Sequence, residues 1–285
     1  MEVNVEYNPE SYYKSLDRFF QGLRNFYSKT QTTYERRLTN FFQPLIFRYR
    51  VAKEIKKQTD RYLASDFNLI EIMGPDENKL SDIIALLIDP NGAHGQGKVF
   101  LEKFLKEILK QILEQIKKQT SNPQLQDINT LLSCKISVSR ESFTTQIENQ
   151  NRRIDLTIEF KNPKNDKEVV FVVGIENKPR AGEQENQLED YREHLDKISG
   201  NDYLLIYLPG LKREAESIKP ETKKKLKQKG KFLETYYRKL LIPWLKECIK
   251  ECEADKVRWF LKDFANWIEN NFEEVENDEG KERTN

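Results

Sequence analysis

One segment of the chain limits the possible folds more than any other, the uncharged run from Val169 to Ile175. The run is almost entirely apolar and rich in β-branched residues, which favours a strand, and it does not alternate between polar and apolar positions. A strand without a polar face has to be covered on both sides. We therefore predict the central strand of a sheet that lies between two other layers. The ionisable residue Glu176 follows this strand directly.

The flanking sequence predicts further strands and helices around this central strand. Residues 135–139 and 153–160 alternate between polar and apolar side chains, and residues 203–208 form a second apolar run. The turn-forming residues 161–167 indicate that the strands on either side of them pair as a hairpin. Helices are predicted at residues 77–88, 98–118, from near 183 to beyond 194, about 231–253 and 255–271. The order of these elements predicts an α/β fold in which one mixed sheet is flanked by helices.

The chain divides into three regions by composition. Residues 1–65 contain few Gly or Pro, and large apolar residues such as Leu16 and Phe20 recur at helical spacing, which predicts a helical N-terminal extension. Residues 66–271 form the mixed domain, and the acidic residues 272–285 are predicted to be a disordered tail. The extension has two open interpretations. It is either a pair of amphipathic helices that packs on the main domain, or an arm that dimerises or contacts DNA.

Composition excludes several classes of protein. The 48 Lys and Arg residues balance 47 Asp and Glu residues, so net charge alone does not indicate a nucleic-acid-binding protein. Three Cys and two His are too few for a disulfide framework or a Cys/His zinc site. No apolar run approaches the roughly 18 residues of a membrane span, and the acidic N-terminus lacks the layout of a signal peptide. We expect a soluble, cytoplasmic protein without a membrane partner.

The strongest basic cluster of the sequence lies in its second half. Residues 212–231 hold nine Lys or Arg against three Glu. The cluster fits a solvated surface, as most charged runs do. It also fits a patch that binds nucleic-acid phosphates, with Lys223, Lys224 and Lys225 as the candidate contacts.

A glycine-rich segment resembles a nucleotide-binding motif. Residues 92–98 fit the GxxxxGK pattern of a phosphate-binding loop, which would make the protein an NTPase. Val99 stands where that motif needs a hydroxyl for Mg²⁺, and the preceding segment is a predicted helix instead of a strand. We predict a connection between two helices, with His94 as a loop residue or a phosphate contact.

The predicted hairpin brings ionisable residues together at the end of the sheet. If the hairpin turns near residues 163–165, Asp155 lies opposite residues 174–176 and next to Glu176. Glu176 and Lys178 are two residues apart and project from the same face of the strand. Two carboxylates offer the oxygen ligands that Mg²⁺ prefers, and an ammonium group stabilises charge or positions a water molecule. The alternative is a surface cluster of ion pairs, but an ionisable pair at the mouth of a buried strand needs a partner or a ligand.

These residues and the segments around them resemble the PD-(D/E)xK nuclease superfamily. Asp155 lies twenty-one residues before Glu176, and a QxxxY helix follows the ExK strand, as in one prokaryotic branch of that superfamily. The matching segments are residues 77–81, 87–90, 152–155, 174–178 and 184–191. Ile154 replaces the Pro of the superfamily's name, at a position that varies between branches. The resemblance implies a restriction-endonuclease-like αβββαβ core, here with one extra helix before the first strand.

The resemblance also implies a role for each matching side chain. The implied catalytic residues are Glu77, Asp155, Glu176, Lys178, Gln187 and Tyr191. Asp155 and Glu176 would be the principal metal ligands, and Glu77 would reach the metal through water. Lys178 would orient the attacking water or stabilise the phosphate in the transition state. The Gln and Tyr side chains would face the site from the helix after the catalytic strand.

The activity that the resemblance implies is hydrolysis of phosphodiester bonds by in-line attack of a metal-activated water, with Mg²⁺ or Mn²⁺ as cofactor. We expect DNA before RNA as the substrate, a homo-oligomer formed through the N-terminal helices, and a role in microbial defence or mobile-element biology. The alternative is a catalytically inactive nucleic-acid-binding module of the same fold. Single or double strands, cleavage at ends or within strands, and sequence preference stay open.

Overall fold

The computed structural model describes residues 9–64, 66–116, 123–143 and 152–273. The chain separates into two compact units, residues 1–67 and residues 68–285. The first unit consists of helix α1 (Pro9–Leu63), which continues for 55 residues through Pro44. The predicted pair of helices is therefore one helix. Residues 28–33 separate the apolar residues at positions 16–27 from those at positions 34–42. This segment contains no Gly or Pro to end a helix, so the helix continues through it.

The second unit combines helices with five strands in its described part. The helices are α2 (Leu69–Met73), α3 (Glu77–Ile88), α4 (Val99–Ile116), α5 (Pro123–Gln126), α6 (Ile128–Ser133), α7 (Gln187–Ser199), α8 (Pro220–Gln228), α9 (Tyr237–Glu251) and α10 (Asp255–Asn271). The strands are β1 (Lys135–Phe143), β2 (Arg153–Asn162), β3 (Asn165–Lys178), β4 (Tyr203–Pro209) and β5 (Phe232–Glu234). The four predicted strands and the helices predicted at residues 77–88 and 255–271 are confirmed. None of the described helices has the length and apolarity needed to span a membrane.

The five strands form one mixed sheet in the order β1-β2-β3-β4-β5. Strands β1, β2 and β3 are antiparallel neighbours, whereas β3, β4 and β5 run parallel. The predicted hairpin of β2 and β3 is confirmed, because Asn162 pairs with Asn165 across its turn. Strand β3 occupies the centre of the sheet, and Phe171, Val172 and Val173 are completely buried. This α/β architecture is consistent with a restriction-endonuclease-like fold.

Alternate residues of β3 pack into separate cores on the two faces of the sheet. Phe171 and Val173 belong to the larger core, to which α3, α4, α9 and α10 contribute. Val172 belongs to the smaller core, together with Leu195 of α7. Gly174 permits α7 to pack closely against β3, because a Cβ atom there would lie 2.8 Å from Leu195 Cδ1. The apolar run is therefore covered on both sides, as its composition requires.

Two predicted helices begin later than the sequence indicated. The helix predicted from residue 231 begins at Tyr237, because residues 232–234 pair with β4 as strand β5. A segment of three residues is too short for its apolar periodicity to distinguish a strand from a helix. Pairing with the neighbouring strand β4 therefore determines its conformation. Helix α7 begins at Gln187 instead of near residue 183. Asn186 has a left-handed backbone (φ 58°), which a right-handed helix does not continue through.

The end of the described chain closes the larger core. Phe272, the first residue of the predicted tail, is 2% exposed and packs against the rings of Tyr237 and Trp267. The rest of that predicted acidic tail, residues 274–285, lies outside the described residues. The same holds for residues 117–122, which include the predicted end of the helix at residues 98–118.

Candidate active site

The hairpin of β2 and β3 brings Asp155 to the end of the central strand. Leu156 pairs with Ile175, and the backbone N–H of Asn177 donates to Asp155 Oδ2 at 2.8 Å. The two-residue side-chain period of the strands therefore aligns Asp155 with Glu176, as predicted. Burial raises the pKa of Asp155, and the nearby Lys178 ammonium opposes that shift. The carboxyl group is thus held at the edge of the sheet by a main-chain donor.

Glu176 is completely buried, and its two carboxylate oxygens have different surroundings. Oε1 accepts a hydrogen bond from Gln187 Nε2 at 2.8 Å and lies 2.8 Å from Lys178 Nζ. Oε2 is buried without a hydrogen-bond partner in the described part of the chain. Burial, and then the nearby Asp155 carboxylate, raise the pKa of Glu176 to about 8. A buried, unpartnered carboxylate oxygen is costly unless a ligand satisfies it.

Lys178 links the strand to helix α3. Its Nζ lies 2.9 Å from Glu77 Oε1 and 2.8 Å from Glu176 Oε1. Burial alone would lower the pKa of this ammonium group, but the neighbouring carboxylates outweigh burial and raise it. Glu77 is in place because Asp76 caps α3, accepting a hydrogen bond from the Lys79 N–H at 2.8 Å. The ammonium group therefore stays charged between two carboxylates.

Helix α7 contributes the Gln and Tyr of the QxxxY pattern. Gln187 Nε2 donates to Glu176 Oε1 at 2.8 Å and to Tyr191 Oη at 2.9 Å. Tyr191 Oη in turn donates to the Arg153 carbonyl at 2.6 Å, and its burial raises the pKa of the phenol. Gln187 therefore contacts the carboxylate cluster directly, whereas Tyr191 lies one hydrogen bond further away. The six residues predicted as catalytic form one connected group.

A buried hydrogen-bond chain supports this group and was not predicted. Asn177 Nδ2 donates to Ser81 Oγ of α3 at 2.8 Å, and Tyr237 Oη of α9 donates to Asn177 Oδ1 at 2.8 Å. Asn177, between the Glu and Lys of the ExK motif, thus fixes the strand end to two helices. In the sequence Asn177 stands between two charged residues at a strand end, and nothing there indicates that its side chain is buried and needs hydrogen-bond partners.

Arg140 is a second supporting residue that the sequence did not indicate. Its Nη1 donates to the Asp155 carbonyl at 2.5 Å, and its Nε lies 2.9 Å from Asp82 Oδ1 of α3. The guanidinium group therefore ties β1 to β2 and to α3 beside the carboxylates. A single Arg in an alternating strand carries no pattern that would reveal such contacts.

The candidate phosphate-binding lysines lie on α8, and their surroundings differ. Lys223 Nζ lies 2.8 Å from Glu234 Oε1 and 3.3 Å from Glu214 Oε2. These contacts outweigh burial and raise the pKa of Lys223. Lys224 and Lys225 are exposed. The structure therefore separates one paired lysine from two that are open to solvent.

The glycine-rich segment forms the predicted connection between two helices, α3 and α4. His94 is buried, with Nε2 donating to the Asp89 carbonyl at 2.8 Å and Nδ1 accepting from the Gln96 N–H at 3.0 Å. The imidazole stacks on Phe100 with 4.8 Å between ring centroids. Lys98 donates to the Leu132 carbonyl. His94 and Lys98 therefore make protein contacts that close this loop.

Comparison with known proteins agrees with this arrangement. Residues 67–266 match the family model of the PD-(D/E)XK nuclease superfamily. The chain belongs to this superfamily. No curated protein and no solved structure gives a significant match. Membership indicates a nuclease with nucleic acid as its substrate class, and PD-(D/E)XK nucleases generally use divalent metal ions.

The carboxylates of this PD-(D/E)XK site suit a hard divalent cation. Glu176 Oε2 is buried and unpartnered among the described residues, and Asp155 supplies a second carboxylate beside it. No group of three or more His, Cys, Asp and Glu side chains within those residues is arranged to hold an ion. This donor set fits Mg²⁺, which is typically bound through one or two carboxylates and keeps several waters. Asp155 and Glu176 are therefore the side chains that would hold the ion.

The buried Asn177 chain should contribute to stability. We expect Tyr237→Phe to lower the free energy of unfolding by about 1–3 kcal/mol, because it leaves the buried Asn177 Oδ1 without its donor. Tyr62→Phe is the matched control, since Tyr62 is 82% exposed, and should change stability by less than about 0.5 kcal/mol. Urea unfolding followed by circular dichroism measures both values. Equal stability of the two variants would contradict the role given to Tyr237.

Proposed function

We propose that this protein is a divalent-metal-dependent nuclease that hydrolyses phosphodiester bonds of DNA. The observation that carries the proposal is the unpartnered, buried Oε2 of Glu176 beside Asp155, at the end of the strand that also bears Lys178. Asp155 and Glu176 would hold Mg²⁺ or Mn²⁺. The bound ion would supply Lewis acidity and neutralise charge on the scissile phosphate.

Lys178 would provide positive charge where negative charge develops on the phosphate. The Glu77 and Glu176 carboxylates keep its ammonium group protonated and hold it in place. A preorganised charge of this kind acts mainly in the transition state. Glu77 positions Lys178 in this arrangement, and it would reach the metal through water.

Gln187 would keep the Glu176 carboxylate in one orientation. Its amide group donates to Glu176 Oε1 and to Tyr191 Oη. Because Oε1 accepts this hydrogen bond, Oε2 of Glu176 points away from Gln187. Tyr191 positions Gln187 and anchors it to the backbone of β2. Both residues would thus support metal binding without contacting the ion themselves.

DNA is proposed before RNA because of the resemblance to the prokaryotic branch described above. Lys224 and Lys225 are exposed on α8, and we include them as contacts to the phosphates of the substrate. Lys223, which is held by Glu234, would contribute less to binding than its sequence position suggests. Incubation with linear, circular and single-stranded DNA and RNA identifies the substrate and distinguishes cleavage at ends from cleavage within strands.

Removing either proposed metal ligand should abolish cleavage. We expect Asp155→Ala and Glu176→Ala to lose Mg²⁺-dependent hydrolysis but to stay folded, because each removes one of two carboxylates that repel each other. Glu168→Ala is the control: Glu168 is exposed near the hairpin turn of β3, where it accepts a hydrogen bond from Asn162 Nδ2 at 2.8 Å. A cleavage assay with Mg²⁺, Mn²⁺ or EDTA measures the effect. Cleavage by either variant near the wild-type rate would contradict the site, and an inactive wild type that still binds DNA would favour the binding-module alternative.

A second prediction separates the lysine from the metal. Lys178→Met should lower turnover by at least about a hundredfold, the scale of losing one preorganised electrostatic contact. Metal binding should survive, since the substitution removes a cation that repels the metal ion. Calorimetric titration with Mn²⁺ beside the cleavage assay measures both quantities. Unchanged turnover, or loss of metal binding in a folded variant, would contradict the role proposed for Lys178.

We also propose that α1 mediates self-association. Tyr13, Phe20, Tyr27, Tyr34 and Phe41 recur every seven residues and are 50–69% exposed. A seven-residue repeat of apolar side chains is typical of helices that pair along one seam. Exposed apolar stripes of this length mark interaction surfaces, and a second copy of the chain offers a matching stripe.

Charges placed in this stripe should dissociate the oligomer. We expect Tyr27→Glu/Tyr34→Glu to reduce the mass measured by light scattering to that of one chain, because burying two carboxylates in an apolar seam is unfavourable. The control is Lys29→Glu/Arg36→Glu, about half a turn away on the helix, which should keep the oligomer. A wild-type protein with the mass of one chain would contradict the proposal.

A further inference from the structure

A cleft opens next to the candidate active site, at the carboxyl ends of the parallel strands β3 and β4. Its volume is about 450 Å³, and its lining includes Lys178 and Phe272. Lys178 pairs with Pro209 of β4, so the cleft begins where the catalytic strand ends. Ligands of open α/β sheets commonly bind outside the carboxyl ends of the strands.

Among the described residues, the lining of the cleft contains three further cations and no carboxylate. Arg180, Lys212 and Arg213 contribute to its walls. None of the three forms an ion pair within the described part of the chain, and Arg180 Nη2 donates a 3.5 Å hydrogen bond to Asn271 Oδ1. Gathering cations without anions is unfavourable, and an anionic ligand would relieve this repulsion.

Two lysines elsewhere in the same unit, in contrast to the cations of the cleft, form ion pairs with a carboxylate. Lys223 and Lys227 both contact the carboxylate of Glu234, which offsets part of their charge. The half-buried carboxylate of Glu234 is thus within ion-pair distance of one group of cations, whereas Arg180, Lys212 and Arg213 have no carboxylate at that distance among the described residues. The difference points to a ligand that carries the missing negative charge.

Two hydrogen bonds orient the guanidinium group of Arg213 in the absence of a ligand. Its Nε donates to Tyr207 Oη at 2.9 Å and its Nη2 donates to the Ala181 carbonyl at 2.7 Å. Tyr207 is completely buried, so the guanidinium plane is anchored to β4. Neither hydrogen bond uses Nη1. A planar, preorganised guanidinium group is well suited to phosphate oxygens.

We infer that this cleft binds a phosphate group of the nucleic acid next to the scissile phosphate. The inference rests on the proposed nuclease function and adds a binding subsite formed by Arg180, Lys212 and Arg213. The phosphate is either a backbone phosphate within the strand or a phosphate at the strand end. Both sources present the same oxygen atoms, and substrates with different ends distinguish them.

The test removes the two exposed cations of the cleft. Arg180→Gln/Lys212→Gln should weaken binding of a fluorescent DNA oligonucleotide by about tenfold or more, the scale of a charge-assisted contact. The slope of log affinity against log salt should fall by about 1. Anisotropy titrations in EDTA at several salt concentrations measure both without hydrolysis. Either single variant provides the same test if the double variant misfolds.

A matched control removes two exposed lysines from the hairpin turn at the other end of the sheet. Lys164→Gln/Lys167→Gln changes the net charge equally, but its positions are separated from Lys178 by nearly the length of β3, roughly 40 Å. This variant should bind within about twofold of wild type, because contacts with phosphate weaken steeply beyond the screening length. A loss equal to that of the cleft variant would assign the effect to overall charge and overturn the inference.

The ends of the substrate identify the source of the phosphate. Oligonucleotides with a 5′-phosphate, a 3′-phosphate or hydroxyl groups at both ends are compared with circular DNA. Selective loss of preference for one phosphorylated end supports a terminal phosphate, and equal weakening on all substrates supports a backbone phosphate. Wild-type affinity and salt slope in the cleft variant would overturn the subsite. Failure of the wild-type protein to bind or cleave any nucleic acid would instead overturn the proposed function.

Discussion

A carboxylate at the end of a strand that is buried on both faces requires positive charge or a donor close by, and Glu176 is in that position. Lys178 and Gln187 both satisfy Oε1, whereas Oε2 has no partner among the described residues. The burial that makes this arrangement costly also raises the pKa of the carboxyl group. The uneven satisfaction of the two oxygens leaves Oε2 as the atom that would bind the proposed metal ion.

The surrounding helices hold this cluster in place. Helix α3 contributes Glu77 to Lys178, and α7 contributes Gln187 to Glu176. Helix α9 contributes Tyr237, which fixes the side chain of Asn177 within the ExK motif. Each contact joins a helix to residues 176–178 of β3. The packing of these three helices therefore fixes the positions of the side chains in the candidate site. Side chains positioned in this way lose little freedom when a substrate binds.

Positive charge is distributed unevenly over the second unit. Glu234 contacts both Lys223 and Lys227, while Arg180 and Lys212 line a cleft whose described lining contains no carboxylate. The basic run of the sequence is therefore divided between a structural ion-pair cluster and a surface that can meet an anion. Composition could not reveal this division, because it does not show which of the neighbouring lysines come within ion-pair distance of Glu234 on β5.

The central strand, the hairpin and the neighbouring positions of Asp155, Glu176 and Lys178 could be predicted from the sequence. These features depend on local properties: an apolar run without a polar face, a turn of suitable residues, and a side-chain period of two. The sequence also indicated the family through its spaced motifs. The contacts of Asn177 with α3 and α9, the edge strand at residues 232–234 and the cations without an ion pair among the described residues became visible only in the folded chain. Those outcomes depend on groups far apart in sequence meeting in space, and no local pattern records which distant partner a side chain will meet.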